Sequence, residues 1–481
     1  MGLSMNRRDF LTVGFGAAAS LAFAKSTDLT GLTVKRASDL LHTKAASPVE
    51  LTRSCLTRIE KYQPLLNAYI TISNTEALDQ ARRAEDEIQH GKWRGPFHGI
   101  PIALKDNIDT AGVRTTAASE LFKDRIPTED AEVVRRLKMA GAVFLGKLNL
   151  HEFAYGGTSA VTYFKPVHNP WNPALTPGGS SGGPGVAVAA DLCFASLGTD
   201  TAGSVRIPAS YCSIAGLKPT YGRVSLRGVI PLSWSLDHVG PMCKTVEDTA
   251  LLLQVIAGYD EQDPTTANVP VPDYVRALHT PTARLRLGVP RKPFFDNLDP
   301  DVAAAIDSAL AVLEKLTAGM HDVELPQPAT GPILGAEAYA YHSQWFTKTP
   351  ELYQPQVRAA LQRAADVKAE PYARALRELG QLRRDIKKVF TNVDLLILPT
   401  MADPPFRIEE GLSRNVSARN TSPFDAYGIP TISIPCGFTR TGLPIGMQIA
   451  GAPWADATVL ALANAYERET EWHTRHPPLT V

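Results

Sequence analysis

Apolar residues recur every three or four positions from Val34 to about residue 90, then give way to short unbroken apolar runs separated by further helical stretches. A helical pattern starts at Val34. The segment Ser47-Pro48-Val49-Glu50 opens a second helix, with proline at its first position and a carboxylate in its first turn. Leu51, Cys55, Ile59 and Tyr62 continue its apolar stripe, and residues 75–90 form another helix with an outward charged face. The run Gly99-Ile100-Pro101-Ile102-Ala103-Leu104-Lys105 reads as a buried strand, followed by a helix over 128–140 and a strand over 143–146. Residues 185–190 are small and helix-compatible, 193–198 strand-like and 244–257 helical. Residues 260–282, rich in Pro, Asp and Thr, read as a long surface connection. A strand (285–289), a helix (302–316) and a strand (323–325) make a further unit. Residues 330–390 are mostly helical, 395–400 hold a buried strand, 442–449 a hairpin limb and 455–468 a closing helix. Strands alternating with helices predict an α/β domain with a parallel or mixed sheet. No repeat and no clean internal boundary divides it.

Composition narrows the function classes. The 481 residues are 44% apolar and 20% charged, an ordinary globular mix, and Lys+Arg equals Asp+Glu at 49 each. Without a basic excess or stripe, nucleic acid is not an expected partner. The five cysteines are scattered with no C-x-x-C pair, which predicts buried thiols rather than a disulfide framework. No H-E-x-x-H occurs and no histidine stands at zinc-ligand spacing, so no metal and no cofactor are expected.

The N-terminus carries Arg7-Arg8-Asp9-Phe10-Leu11, a soft apolar run to Ala24, and Ala22-Phe23-Ala24 as a small-residue exit. This resembles a twin-arginine export signal, which sets residues 1–24 apart from a domain over 25–481 and implies a periplasmic enzyme. The run is too short to span a bilayer comfortably, so no membrane association is expected once it is removed.

The chemistry concentrates around residues 176–183, TPGGSSGG. A phosphate loop needs lysine and Ser/Thr after its glycines, and here Pro184-Gly185 follows, so that reading fails. The stretch fits G-x-S-x-G at Ser180 and at Ser181, the pattern of a Ser-His-Asp esterase elbow. Three prolines at 170, 173 and 177 argue against the buried strand that must run into such an elbow. His238 and Asp237 could complete a triad formally.

Lys105 within Pro101-Ile102-Ala103-Leu104-Lys105-Asp106-Asn107, the Gly178-Gly179-Ser180-Ser181-Gly182-Gly183 stretch and Gly198-Thr199-Asp200-Thr201-Ala202-Gly203-Ser204-Val205-Arg206 follow in the order seen in amidase-signature hydrolases. Asn169-Pro170-Trp171-Asn172, Gly216–Arg223, Leu236–Pro241 and Gly442–Gln448 support the resemblance, which covers roughly 30–470. Ala202 departs from the family, which usually has glycine there. The resemblance implies one large domain, with a mixed sheet covered by helices on both faces. It implies hydrolysis of a carboxamide to an acid and ammonia or an amine. Ser204 would be the nucleophile, Ser180 a bridging serine after a cis peptide bond, and Lys105 the base. Thr201, Ala202 and Gly203 would form the oxyanion hole, with Ser181 and Arg206 in support.

Each residue also has a plainer reading. Lys105 could pair with Asp106, Ser204 could cap the segment that follows it, and Arg206 reads as a structural ion-pair partner. A lysine base must be neutral, and the apolar run before Lys105 supplies the desolvation that neutrality needs. The expected partner is a small-molecule amide, with a homodimer as the oligomer. The alternative within the family is the amidotransferase subunit that releases ammonia from glutamine.

Overall fold

A computed structural model describes residues 29–479; residues 1–24, read from the sequence as an export signal, lie outside them. Among the described residues an eleven-stranded mixed sheet runs through the molecule. In chain order its strands are β1 (Tyr69–Ile72), β2 (Pro101–Lys105), β3 (Val143–Leu148), β4 (Ala195–Asp200), β5 (Ala215–Lys218), β6 (His238–Cys243), β7 (Leu287–Val289), β8 (Met320–Asp322), β9 (Leu395–Pro399), β10 (Thr431–Phe438) and β11 (Pro444–Gly451). Across the sheet they lie in the order β1-β3-β2-β4-β6-β5-β10-β11-β9-β7-β8. β2 is parallel to both β3 and β4, whereas β6, β5, β10 and β11 form an antiparallel centre.

Helices cover both faces, and two glycines show it. Gly437 of β10 pairs with Ile445 of β11, the neighbour of Gly446, so the two glycines look out from opposite faces of the pleat. A Cβ on Gly437 would meet Ala305 at 2.8 Å, and one on Gly446 would meet Ser210 Oγ at 2.6 Å. Helices Pro300–Leu316 and Arg206–Cys212 therefore press on opposite faces, each at a position where a side chain would hold it off. The central strands are buried throughout, which is why they read as continuous apolar runs rather than alternating ones.

The helix opening at Ser47 spans Pro48–Leu66 with the expected start: the Ser47 hydroxyl accepts from Glu50 N–H, and the Glu50 carboxylate accepts from Ser47 N–H. Three sequence expectations are corrected. The strand expected at 323–325 lies at Met320–Asp322; Val323 N–H still bonds Val289 O, and Pro326 stops its extension. The connection 260–282 is not purely surface, because it holds a short helix, Tyr274–Ala277, with Tyr274 fully buried. The helix expected over 128–140 begins at Glu132. β6 is not foreseen from the sequence because Gly240 and Pro241 are poor strand formers. Gly240 is needed there, since a Cβ would stand 2.2 Å from Leu217 O.

Candidate active site

β2 and β4 are parallel neighbours in the register Leu104–Leu197, so both deliver their C-terminal ends to one place. Lys105 is the last residue of β2; Thr199 and Asp200 end β4, and the turn Thr201-Ala202-Gly203-Ser204 follows directly. Ser180 and Ser181 precede the helix Gly182–Ala189, which packs on β4.

The stretch GGSSGG is rigid packing. Gly178 has φ +77°, a conformation that favours glycine, and a Cβ on Gly183 would stand 2.3 Å from Asn149 O. The Gly179–Ser180 peptide is cis. Ser180 O accepts from His151 N–H (3.1 Å) and from the Ser159 hydroxyl (3.2 Å), which fixes the first serine from a separate loop. Ser181 N–H donates to Ser204 O at 3.2 Å, tying the Gly-Ser stretch to the turn that carries Ser204. Ser181 Oγ also donates to Thr199 O at 3.1 Å.

Lys105 Nζ lies 2.7 Å from Ser180 Oγ, 2.7 Å from Thr199 Oγ1 and 3.3 Å from Thr199 O, with all three residues buried. Burial pushes the Lys105 ammonium down from 10.5 to about 7, against the opposing pull of the Asp200 and Asp237 carboxylates. Asp106 does not serve as its ion-pair partner. That carboxylate faces Lys147 at 3.4 Å and accepts from Thr116 N–H at 2.8 Å. Ser204 is 8% exposed, and Ala202 beside it is partly open, so the turn is where the buried network meets solvent.

The turn is held from three sides. The Thr201 hydroxyl donates to Asp237 Oδ1 at 2.6 Å. The Thr421 hydroxyl donates to Ala202 O at 2.6 Å. Gly203 N–H donates to Asp200 Oδ1 at 2.5 Å, and Val205 N–H to Asp200 Oδ2 at 3.1 Å. Arg206 is fully buried beneath, bonded to Asp200, Asp425, Thr421 O and Gln448 Oε1. Its guanidinium is committed to these groups, in line with the structural reading. Burial alone would raise the pKa of Asp200, but Arg206 holds that carboxylate well below the usual range.

Thr199 and Asp200 stand within the family-like stretch of sequence, yet nothing in that stretch gives either a role, and Thr421 and Asp425 carry no signal of their own. Arg206 and Asp425 lie 219 residues apart in the chain, so their pairing exists only after folding. The histidine of the esterase reading is engaged elsewhere. His238 Nε2 lies 3.5 Å from Lys218 Nζ and its Nδ1 3.6 Å from Asp425, while Asp237 faces Thr201. Burial and then Lys218 depress its pKa well below the ordinary histidine value, which keeps it neutral. Among the described residues no group of three or more His, Cys, Asp or Glu could hold a metal ion, and all five cysteines are buried free thiols.

Known proteins bear directly on this geometry. The Amidase family model matches residues 50–460. The chain is 40% identical over 486 residues to a glutamyl-tRNA(Gln) amidotransferase subunit of Moorella thermoacetica, covering 94% of this chain and 100% of that one. It is 41% identical over 469 residues to an amidase of Pseudomonas putida, covering 94% and 99%. The native peptide amidase of Stenotrophomonas maltophilia superposes with a TM-score of 0.82 at 31% identity, covering 95% and 99%. With most of the chain matched in both sequence and fold, the protein belongs to the amidase signature family and is an enzyme that hydrolyses amides.

Proposed function

We propose that the enzyme cleaves a small carboxamide through an acyl-Ser204 intermediate, with Lys105 as the base and Ser180 as the proton relay. The observation that carries this reading is the buried Lys105 amine, 2.7 Å from Ser180 Oγ with its pKa near 7. At neutral pH about half of such a lysine is uncharged and able to take a proton. Ser180 O–H gives its proton to Nζ as it takes the one leaving Ser204, and Ser204 Oγ attacks the amide carbon. The developing oxyanion is received in the turn Thr201-Ala202-Gly203. Gly203 N–H already bonds Asp200, which leaves the Thr201 and Ala202 N–H groups as the donors. One such donor is worth about 2.7–4 kcal/mol in the transition state. The proton returns from Lys105 through Ser180 to the departing amine, and water then hydrolyses the acyl-serine by the same relay.

Fluorophosphonate labelling of the purified chain with peptide mapping tests this, beside Ser204→Ala and Lys105→Ala. The expected result is a label on Ser204 that is lost in the first variant and strongly slowed in the second. A label on Ser180 or Ser181 that survives loss of Lys105 would overturn it.

A second reading, a glutamine-hydrolysing amidotransferase subunit, is favoured by the 40% identity to the Moorella protein. Against it stands the twin-arginine pattern, which supports export to the periplasm as a free-standing enzyme, alone or as a homodimer. Cell fractionation of the wild type and of an Arg7→Lys, Arg8→Lys double variant separates the two. Retention of both in the cytosol with a stable hetero-oligomeric mass would favour the amidotransferase reading.

A further inference from the structure

We propose that Thr199 is a positioning residue for the base: its hydroxyl and carbonyl oxygens take the two N–H bonds of neutral Lys105 and thereby turn the amine lone pair onto Ser180. The inference rests on the reading of Lys105 as the base and adds what aims it.

Lysine reaches its partner on a flexible four-carbon stem, so burial near Ser180 does not by itself direct the lone pair. A neutral amine has two N–H bonds and one lone pair, and three oxygens stand around Nζ. Two belong to Thr199, the hydroxyl at 2.7 Å and the carbonyl at 3.3 Å; the third is Ser180 Oγ at 2.7 Å. The carbonyl has no hydrogen and must accept. The hydroxyl oxygen has two lone pairs, and Asn107 Nδ2 donates to one at 3.1 Å while Lys105 Nζ donates to the other at 2.7 Å. Both N–H bonds are then spoken for. The direction that remains is the one toward Ser180.

The fold makes this arrangement stiff. β2 and β4 lie side by side in parallel register, Leu104 against Leu197, so Thr199 is carried near the end of the strand adjacent to the one that ends in Lys105, rather than on a loop. Ser181 pins its backbone twice, donating to Thr199 O at 3.1 Å and accepting from Thr199 N–H at 3.3 Å. The second serine of GGSSGG thus acts through Thr199.

The charged form makes a separate prediction. An ammonium has three donors, and the same three oxygens receive them. The carboxylates acting on it are Asp200, next in β4, and Asp237, just before β6, while His151 near Ser180 is held neutral by burial. Removing the Thr199 hydroxyl deprives the ammonium of an acceptor and leaves those carboxylates in place. Lys105 then loses its proton more readily, and the acid limb of the reaction moves to lower pH even as the plateau falls.

The test is the rate of fluorophosphonate labelling of Ser204 in the full chain, from pH 5 to pH 9. Thr199→Val, which keeps the shape and the carbonyl, should lower the plateau rate on the order of 10²-fold, the effect of misaligning a reacting group. Its acid limb should shift downward, and Thr199→Ser should restore both rate and limb. Should Thr199→Val fail to fold, Thr199→Ala carries the same comparison. A wild-type rate in Thr199→Val overturns the proposal, as does an equal loss in Thr199→Ser with the limb unmoved. Lys105→Ala separates the two levels: if it labels like wild type, the base assignment itself fails. If it is slow while Thr199→Val is normal, only the role of Thr199 falls.

Discussion

Replacing Lys105 by methionine should abolish activity and yet stabilise the protein, with a stabilisation that depends on pH. The gap between the ordinary lysine value of 10.5 and about 7 corresponds to about 5 kcal/mol of preference for the neutral amine in the folded state. The folded value is the lower one, so between pH 7 and 10.5 the folded chain binds fewer protons at this site than the unfolded chain. Stability therefore rises with pH across that window, and the full penalty is present below about pH 7. Between pH 6 and pH 9 Lys105 alone contributes a rise of about 3 kcal/mol in the wild type. Methionine carries no such penalty, but it leaves the hydroxyls of Ser180 and Thr199 without their hydrogen-bond partner, at a pH-independent cost of about 1–3 kcal/mol. The variant should be more stable than wild type by about 2–4 kcal/mol at pH 6 and nearly equal to it at pH 9. Urea unfolding of both proteins at the two pH values measures this. Lys218, titrating at about 8, is present in both proteins and cancels in the difference. A variant that is less stable by the same margin at both pH values would refute the reasoning, because Lys105 would then be a satisfied cation rather than a desolvated base.

The rate itself should follow the same group: kcat/KM should fall about tenfold per pH unit below about 7 as Lys105 takes up its proton, and a profile flat down to pH 5 would exclude it as the base. Arg206→Met should destabilise by about 3–5 kcal/mol, since it strands the buried Asp200 and Asp425, and thermal unfolding that is unchanged would show that the pair is dispensable. Gly203→Ala should leave little activity: φ is +126° there and the new Cβ would stand 2.3 Å from Thr421 Oγ1, so the turn must shift. Near-normal labelling of Ser204 in that variant would show that the turn geometry is not critical.

What can be read before folding is whatever the chain carries contiguously. The apolar run ending at Lys105 announces both a buried strand and a desolvated amine, and both are found. The capping pair Ser47 and Glu50 sits within one turn and marks its helix correctly. β6 is hidden because Gly240 and Pro241 are poor strand formers, and Gly240 answers a close approach to Leu217 of β5, a demand invisible in local propensity. The support beneath the turn is hidden for a different reason. Asp200 is six residues from Arg206, but Thr421, Asp425 and Gln448 arrive from the far side of the sheet order, and a lone Asp or Thr has no sequence signature.

The serine pair shows how little of a motif's meaning lies in its letters. Ser180 and Ser181 are adjacent and chemically identical, and a pattern search scores them alike. Strand order separates them. β4 lies next to β2, and the helix Gly182–Ala189 begins directly over that junction, so one hydroxyl meets Lys105 and the other meets the backbone of Thr199. The glycines around them keep other side chains out of the contact, as a Cβ on Gly198 would stand 2.8 Å from Ser181 Oγ. The backbone carrying the two hydroxyls is fixed from several directions: His151 N–H and the Ser159 hydroxyl bond Ser180 O, while Ser181 bonds Ser204 O and Thr199 O. The reactivity proposed for Ser204 accordingly depends on two strand ends and a helix start held in register, and disturbing any of the three should be felt at the same oxygen.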